Sequence, residues 1–119
     1  MDKSVSRHIP RKRFGQHFLC DQSVIQRIVS ALNPRPNDHL IEIGPGQGAL
    51  TLPVIKQHKF LEVVELDRDL IPELHDRVRH AGELKVYEAD VLAFDFNTVK
   101  NDARPLRIFG NLPYNISTP

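Results

Sequence analysis

Three glycines in five positions, Gly44, Gly46 and Gly48, follow directly on a short apolar run at residues 40–43 and hand over to a helical pattern in "ALTLPVIKQ". This order of strand, tight loop and helix constrains the chain more than any other feature, because it fixes a buried strand and the point where its carboxyl end opens. Without Cβ atoms such a loop can lie against a ligand and adopt positive φ, and the helix that follows offers unpaired N–H groups. A nucleotide-like ligand is implied. A glycine-rich turn with no ligand would suit any α/β connection, so the surrounding sequence has to weigh the two.

That sequence repeats the alternation. Ahead of the loop, Asp21 is a suitable N-cap, and Val24, Ile25, Ile28, Val29 and Leu32 recur at helical spacing until "NPRPND" stops them. After it, Leu61, Val63, Val64 and Leu66 read as a second strand and Leu70, Ile71, Leu74 and Val78 as a helix stripe, with Pro72 tolerable near the first turn. "ELKVYEAD" is a third strand, a loop with a poorly defined helix follows, and "PLRIFGNLP" is a fourth. Strands alternating with helices predict an open, mainly parallel α/β sheet.

Composition sets the limits. A chain of 119 residues with 40% hydrophobic content supports one globular domain at most. Its net charge is +1, but the first 19 positions hold five bases, Lys3, Arg7, Arg11, Lys12 and Arg13, against the single acid Asp2. Residues 1–20 therefore read as a basic N-terminal arm, and residues 21–119 as the folded part. Cys20 is the only cysteine, so no intrachain disulfide forms, and a reducing, cytoplasmic setting is expected. No run has signal-peptide or membrane-spanning length.

Two acids sharpen the ligand reading. Glu65 ends the second strand 21 residues after Gly44, where an acid can accept both hydroxyl hydrogens of a ribose. Asp90, ending the third strand, is placed to receive a hydrogen bond from a base. Both could instead be solvated strand-end residues. "GPGQGA" also satisfies the dinucleotide fingerprint G-x-G-x-x-A, so a NAD-dependent dehydrogenase stays open on spacing alone, whereas the absence of "GKS" or "GKT" removes a P-loop.

The fourth strand runs into Asn111, Leu112, Pro113 and Tyr114, which should emerge at the same sheet edge as the glycine loop. A planar amine such as adenine N6 is a poor nucleophile, because its lone pair is delocalised into the ring. A carboxamide oxygen and a backbone carbonyl, held by the stiff turn at Pro113, could accept its two hydrogens and favour a more pyramidal nitrogen. Tyr114 could stack on the base, worth about 1–3 kcal/mol in single-strand recognition.

With "RKRFGQHFL", "IEIGPGQGALT", "VVELDRDL", "YEAD" and "FGNLPYNIST" together, the chain resembles the A-type ribosomal RNA adenine dimethyltransferases of the small subunit. The resemblance implies a Rossmann-like class I S-adenosylmethionine-dependent methyltransferase sheet, of which about four strands are present as an N-terminal part. It implies dimethylation at N6 of two adjacent adenines near the 3′ end of small-subunit rRNA, by an enzyme that is monomeric when full length and whose helical C-terminal domain engages RNA. S-adenosylmethionine would be the cofactor. Gly44, Gly46 and Gly48 would lie against its methionine part, Glu65 on its ribose and Asp90 at its adenine. His17, where the family usually has asparagine, and Leu19 match positions near the cofactor. Asn111, Leu112, Pro113 and Tyr114 would surround the target base, with Asn111 also near the cofactor. Arg11, Lys12 and Arg13 would contact RNA phosphates, against the alternative of a solvated tail. Relatives on the same fold that act on large-subunit rRNA, or that bind RNA without catalysis in ribosome assembly or transcription, remain alternatives.

Other chemistry is set aside. His17 and Cys20 lack partners for a metal site, His75 and His80 are five apart and do not share a helix face, and Phe14 and Phe18 read as core. The fourth strand, left at the end of a partial sheet, is expected to be an apolar edge prone to self-pairing.

Overall fold

A computed structural model describes residues 21–100 and 104–110. The first helix, α1, spans Gln22–Leu32. Asp21 caps it in extended conformation, its Oδ1 accepting from the Ser23 amide at 2.9 Å and the Ser23 hydroxyl at 2.7 Å. Asn33 ends it in the left-handed region (φ 46°), its N–H bonding the Val29 carbonyl, and Pro34 and Pro36 keep the chain from resuming a helix.

Four parallel strands follow, β1 (His39–Ile43), β2 (Phe60–Glu65), β3 (Glu83–Glu88) and β4 (Leu106–Gly110). Helix α2 (Thr51–His58) connects β1 to β2, and α3 (Ile71–Val78) connects β2 to β3. The strand order is β3-β2-β1-β4. The chain thus moves outward from β1 to β3 and then returns past both inner strands to place β4 on the other side of β1. That reversal makes the gap between the carboxyl ends of β1 and β4 a topological switch point, where open α/β sheets hold ligands.

Burial explains why the strands looked different in sequence. β1 is buried throughout and β2 at all but its first residue, so both read as continuous apolar runs. β3, outermost on its side, alternates exposed and half-buried positions at its start. On one face of the sheet Leu40, Leu61 and Val63 meet Ile25 and Val29 of α1, Leu50, Val54 and Ile55 around α2, and Val78 of α3. Each such side chain contributes about 1.5–3 kcal/mol by leaving water.

The register aligns the functional ends. Ile43 pairs with Val64 on one side and with Gly110 on the other, while Glu65 pairs with Glu88. The glycine loop, the end of β2, the end of β3 and the exit from β4 therefore share one rim.

Some details depart from the sequence reading. Leu66 is outside β2 and 63% exposed, because the strand ends at Glu65. Asp90 lies two residues beyond β3 rather than at its end, and the ill-defined loop resolves into two short 3₁₀ turns, Val91–Ala93 and Phe96–Thr98. Pro72 sits in the first turn of α3, and His75 and His80 are exposed, both as expected. Among the described strands β4 is terminal and half-buried along most of its length, in keeping with the expected edge. Among the described residues no helix is long and apolar enough to cross a membrane, and no cluster of His, Cys, Asp or Glu could hold a metal.

Candidate functional site

The glycine loop is built by three left-handed residues, Gly44 (φ 61°), Gly46 (φ 60°) and Gly48 (φ 93°). Side chains rarely adopt such backbone, which is the physical reason for glycine at the motif. The positions differ in surroundings. A Cβ at Gly46 would meet nothing within 4 Å, so this part of the loop faces open space. A Cβ at Gly48 would lie 3.1 Å from Arg77 Cδ and 3.2 Å from Leu74 Cδ2, so here the loop is pressed against α3.

Glu65 ties the loop to β2. Its Oε1 accepts from the Gly46 amide at 3.2 Å and its Oε2 from the Asp67 amide at 2.8 Å. The Gly44 amide bonds the Val64 carbonyl at 2.9 Å, one residue earlier on the same strand. Glu65 is only 4% exposed, so it is not the solvated strand-end acid that the sequence allowed. Two backbone amides orient its carboxylate at the rim.

Asp90 stands at the same rim but is differently engaged. It is exposed, and its Oδ1 accepts from the Leu92 amide at 3.0 Å, capping the first 3₁₀ turn. Leu66, just after Glu65, and Leu92, at 74% exposure, are the large apolar side chains left in solvent among the described residues. Leu66 follows Glu65 at the end of β2, and Leu92 lies two residues after Asp90 in the first 3₁₀ turn beyond β3. Exposed apolar side chains next in sequence to hydrogen-bonding carboxylates are the kind of groups that suit a heterocycle attached to a sugar.

Glu42 was not singled out in the sequence reading, yet it stands buried in β1 two residues before Gly44 and is bonded to the start of the helix after the loop. The signal was available, since an acid in a fully buried strand needs a reason to be there. Its Oε1 accepts from Thr51 Oγ1 at 2.6 Å, at the start of α2. Burial, above all, pushes its carboxyl up to about 8; the Thr51 hydrogen bond opposes the rise and the nearby Glu65 charge adds to it. The site thus carries one carboxyl held neutral at its base and Glu65 at its mouth. Arg77 of α3, also unremarked in the sequence, donates from Nη1 to the Gln47 carbonyl at 3.0 Å.

The structure brings Gly46 and Glu65 into contact, holds Gly44 on the neighbouring Val64 carbonyl and Gly48 against α3, and puts Asp90 on the same rim. Asn111, Leu112, Pro113 and Tyr114 lie outside the described residues, as do His17, Leu19, Arg11, Lys12 and Arg13. So do Cys20, Phe14 and Phe18. What is described is the approach to the first group: β4 leaves the sheet at Gly110, paired with Ile43 next to the glycine loop.

Comparison with known proteins agrees with this geometry. The family model for ribosomal RNA adenine dimethylase matches residues 7–119. Ribosomal RNA small subunit methyltransferase A of Nitrosococcus oceani is 55% identical over 112 residues, covering 94% of this chain and 42% of that protein. The protein of the same name from Tolumonas auensis is 59% identical over 112 residues, with 94% and 42% covered. Among solved structures, the 23S rRNA methyltransferase ErmE superposes with a TM-score of 0.62 at 26% identity, covering 76% of this chain and 35% of that one. The chain therefore spans about two-fifths of the length of the curated relatives it matches. Its four-stranded parallel sheet is that of the class I methyltransferases, and the dehydrogenase left open by the glycine spacing is set aside. On the match across residues 7–119, the chain belongs to the ribosomal RNA adenine dimethylase family.

Proposed function

We infer that this chain is the N-terminal, cofactor-binding part of an S-adenosylmethionine-dependent enzyme that dimethylates N6 of two adjacent adenines near the 3′ end of small-subunit rRNA. The whole enzyme would act as a cytoplasmic monomer on small-subunit particles. The observation that carries the reading is the shared rim, where the glycine loop, Glu65 and the exit of β4 meet at the switch point of the sheet. Relatives at 55–59% identity are named for the small subunit, whereas ErmE, named for 23S rRNA, stands at 26%, which favours the small-subunit target.

The residues fit the cofactor. Open space at Gly46 admits a ligand against the loop, Glu65 offers an oriented carboxylate for ribose hydroxyls, and Leu66 and Leu92 offer apolar surface to an adenine ring beside Asp90. His17 and Leu19 would complete the cofactor's surroundings. When bound, S-adenosylmethionine supplies a methyl group made electrophilic by its positively charged sulfur. The chain's part is placement: no covalent nucleophile is needed if Asn111 and the backbone at Leu112 and Pro113 hold the adenine amine about 3–3.5 Å from the donor carbon, in line with the bond that breaks. Tyr114 would stack on the base and offset part of the few kcal/mol that turning it out of RNA costs. Arg11, Lys12 and Arg13 would hold phosphates, giving salt-dependent affinity.

The deciding experiment is transfer of a labelled methyl group by the complete protein to unmethylated small-subunit particles and, separately, to large-subunit rRNA. Labelling of adenine N6 in the former supports the reading; labelling confined to the latter replaces the target, and RNA binding without labelling indicates a non-catalytic factor. Two variants divide the site. Tyr114→Ala is expected to leave calorimetric affinity for S-adenosylmethionine unchanged while lowering turnover about five- to 150-fold, matching about 1–3 kcal/mol of lost stacking. Normal turnover would defeat the stacking role. Gly46→Ala is expected to lower unfolding free energy only by what left-handed alanine costs, about 1–2 kcal/mol, but to block the ligand's face of the loop. An unaltered affinity for S-adenosylmethionine in that variant would put the ligand elsewhere.

A further inference from the structure

The glycine loop is anchored at three points, and only two belong to the motif and its neighbouring strand. Gly44 is held by the Val64 carbonyl and Gly46 by Glu65, both on β2. The third anchor comes from α3, 30 residues along the chain from the loop: Arg77 donates to the Gln47 carbonyl at 3.0 Å. The other end of the same peptide unit, the Gly48 amide, donates to the Pro45 carbonyl at 2.9 Å. Both polar groups of the Gln47–Gly48 peptide are thus fixed in direction. The side-chain stem of Arg77 also approaches Gly48 so closely that a Cβ there would come within 3.1 Å of Arg77 Cδ. The guanidinium and its stem brace the back of the loop, while the Gly46 side opens outward.

We propose that Arg77 is a positioning residue for the cofactor loop, setting affinity for S-adenosylmethionine by holding the Gln47–Gly48 peptide in the binding-competent orientation. The inference rests on the cofactor reading given above. A loop with three glycines has many conformations to lose on binding, and a brace that orders it beforehand lowers that cost. The electrostatics give the idea a sharp test. S-adenosylmethionine carries net positive charge, so a nearby guanidinium acting only through its charge would repel it. Removing the charge would then tighten binding, whereas removing the brace would weaken it. The two roles predict opposite signs.

The test uses the complete protein with Arg77→Met, which keeps an apolar stem against Gly48 but deletes the donor, and Arg77→Lys, which restores a donor. Arg79→Met is the control: it removes the same charge from the end of α3, where Arg79 pairs with Asp76 instead of the loop. Two quantities are read, amide hydrogen exchange across residues 44–50 without cofactor and the Kd for S-adenosylmethionine by calorimetry. Arg77→Met is expected to speed exchange at Gly48 and to raise Kd roughly two- to tenfold, the range for ordering a few groups on binding. kcat at saturating cofactor is expected to hold, Arg77→Lys to return Kd most of the way, and Arg79→Met to change neither quantity. Unchanged exchange in Arg77→Met overturns the brace; faster exchange with unchanged or tighter binding overturns its role in affinity. A wild-type protein that binds no S-adenosylmethionine overturns the cofactor reading itself, and this inference with it, whereas equal binding by wild type and Arg77→Met overturns only the inference.

Discussion

Glu65→Ala is expected to weaken binding of S-adenosylmethionine by at least tenfold, and by up to about a hundredfold, in calorimetry on the complete protein. The size follows from charge-assisted hydrogen bonds, each worth about 1.5–3 kcal/mol, with every 1.4 kcal/mol a factor of ten. Two losses combine. The variant removes the carboxylate assigned to the ribose, and it releases the Gly46 and Asp67 amides that the carboxylate now holds at 3.2 and 2.8 Å. Glu65→Gln separates them, because the amide keeps one accepting oxygen for a backbone N–H but turns an NH₂ toward the other. The Gln variant should therefore fall between wild type and Ala. S-adenosylmethionine affinity unchanged in Glu65→Ala would remove the ribose assignment, and an unchanged melting temperature alongside it would remove the tether as well.

How far the site could be read from sequence depended on whether its parts are local. The glycine loop, Glu65 and the inner strands were legible, because a buried parallel strand is a continuous apolar run and a strand-to-helix turn needs glycine at left-handed positions. Asp90 was found but slightly misplaced. Nothing in "ELKVYEAD" marks Glu88 as the last paired residue, and it is the bonds of the Leu92 and Ala93 amides to Asp90 that show a turn has begun. Leu66 was counted in β2 for a similar reason, since apolar character alone does not mark where pairing stops. Arg77 was out of reach of any local rule: its contact with Gln47 exists only because α3 is laid over the loop. The likeness of "FGNLPYNIST" to its family carries the assignment of Asn111 and its neighbours, and the described structure adds where β4 delivers the chain to them.

Glu42 leads to the other large effect, on stability. A carboxyl in an unfolded chain gives up its proton near the ordinary value of 4.5, while in the fold burial keeps Glu42 protonated up to about 8. Between those values the folded state binds one more proton than the unfolded state, so unfolding free energy falls as pH rises, by about 1.4 kcal/mol per unit where the difference is complete. The contribution is fully present below 4.5 and is lost as pH climbs through 8. Asp38, held below its usual range chiefly by the hydrogen bond from Arg107, acts in the opposite sense, but only in acid, as pH drops below 3.8. The two windows do not overlap. Urea unfolding of the complete protein between pH 5 and pH 8.5 is therefore expected to show a midpoint that declines with pH. Glu42→Gln, neutral at every pH and able to keep an oxygen for Thr51, should flatten that decline and leave the mutant the more stable of the two above pH 8. Parallel curves for the two proteins would mean that Glu42 does not carry its extra proton in the fold. A buried carboxylate would then stand in β1 just before the glycine loop, adding negative charge where the cationic cofactor is proposed to bind, and the neutral base assigned to the site would have to be given up.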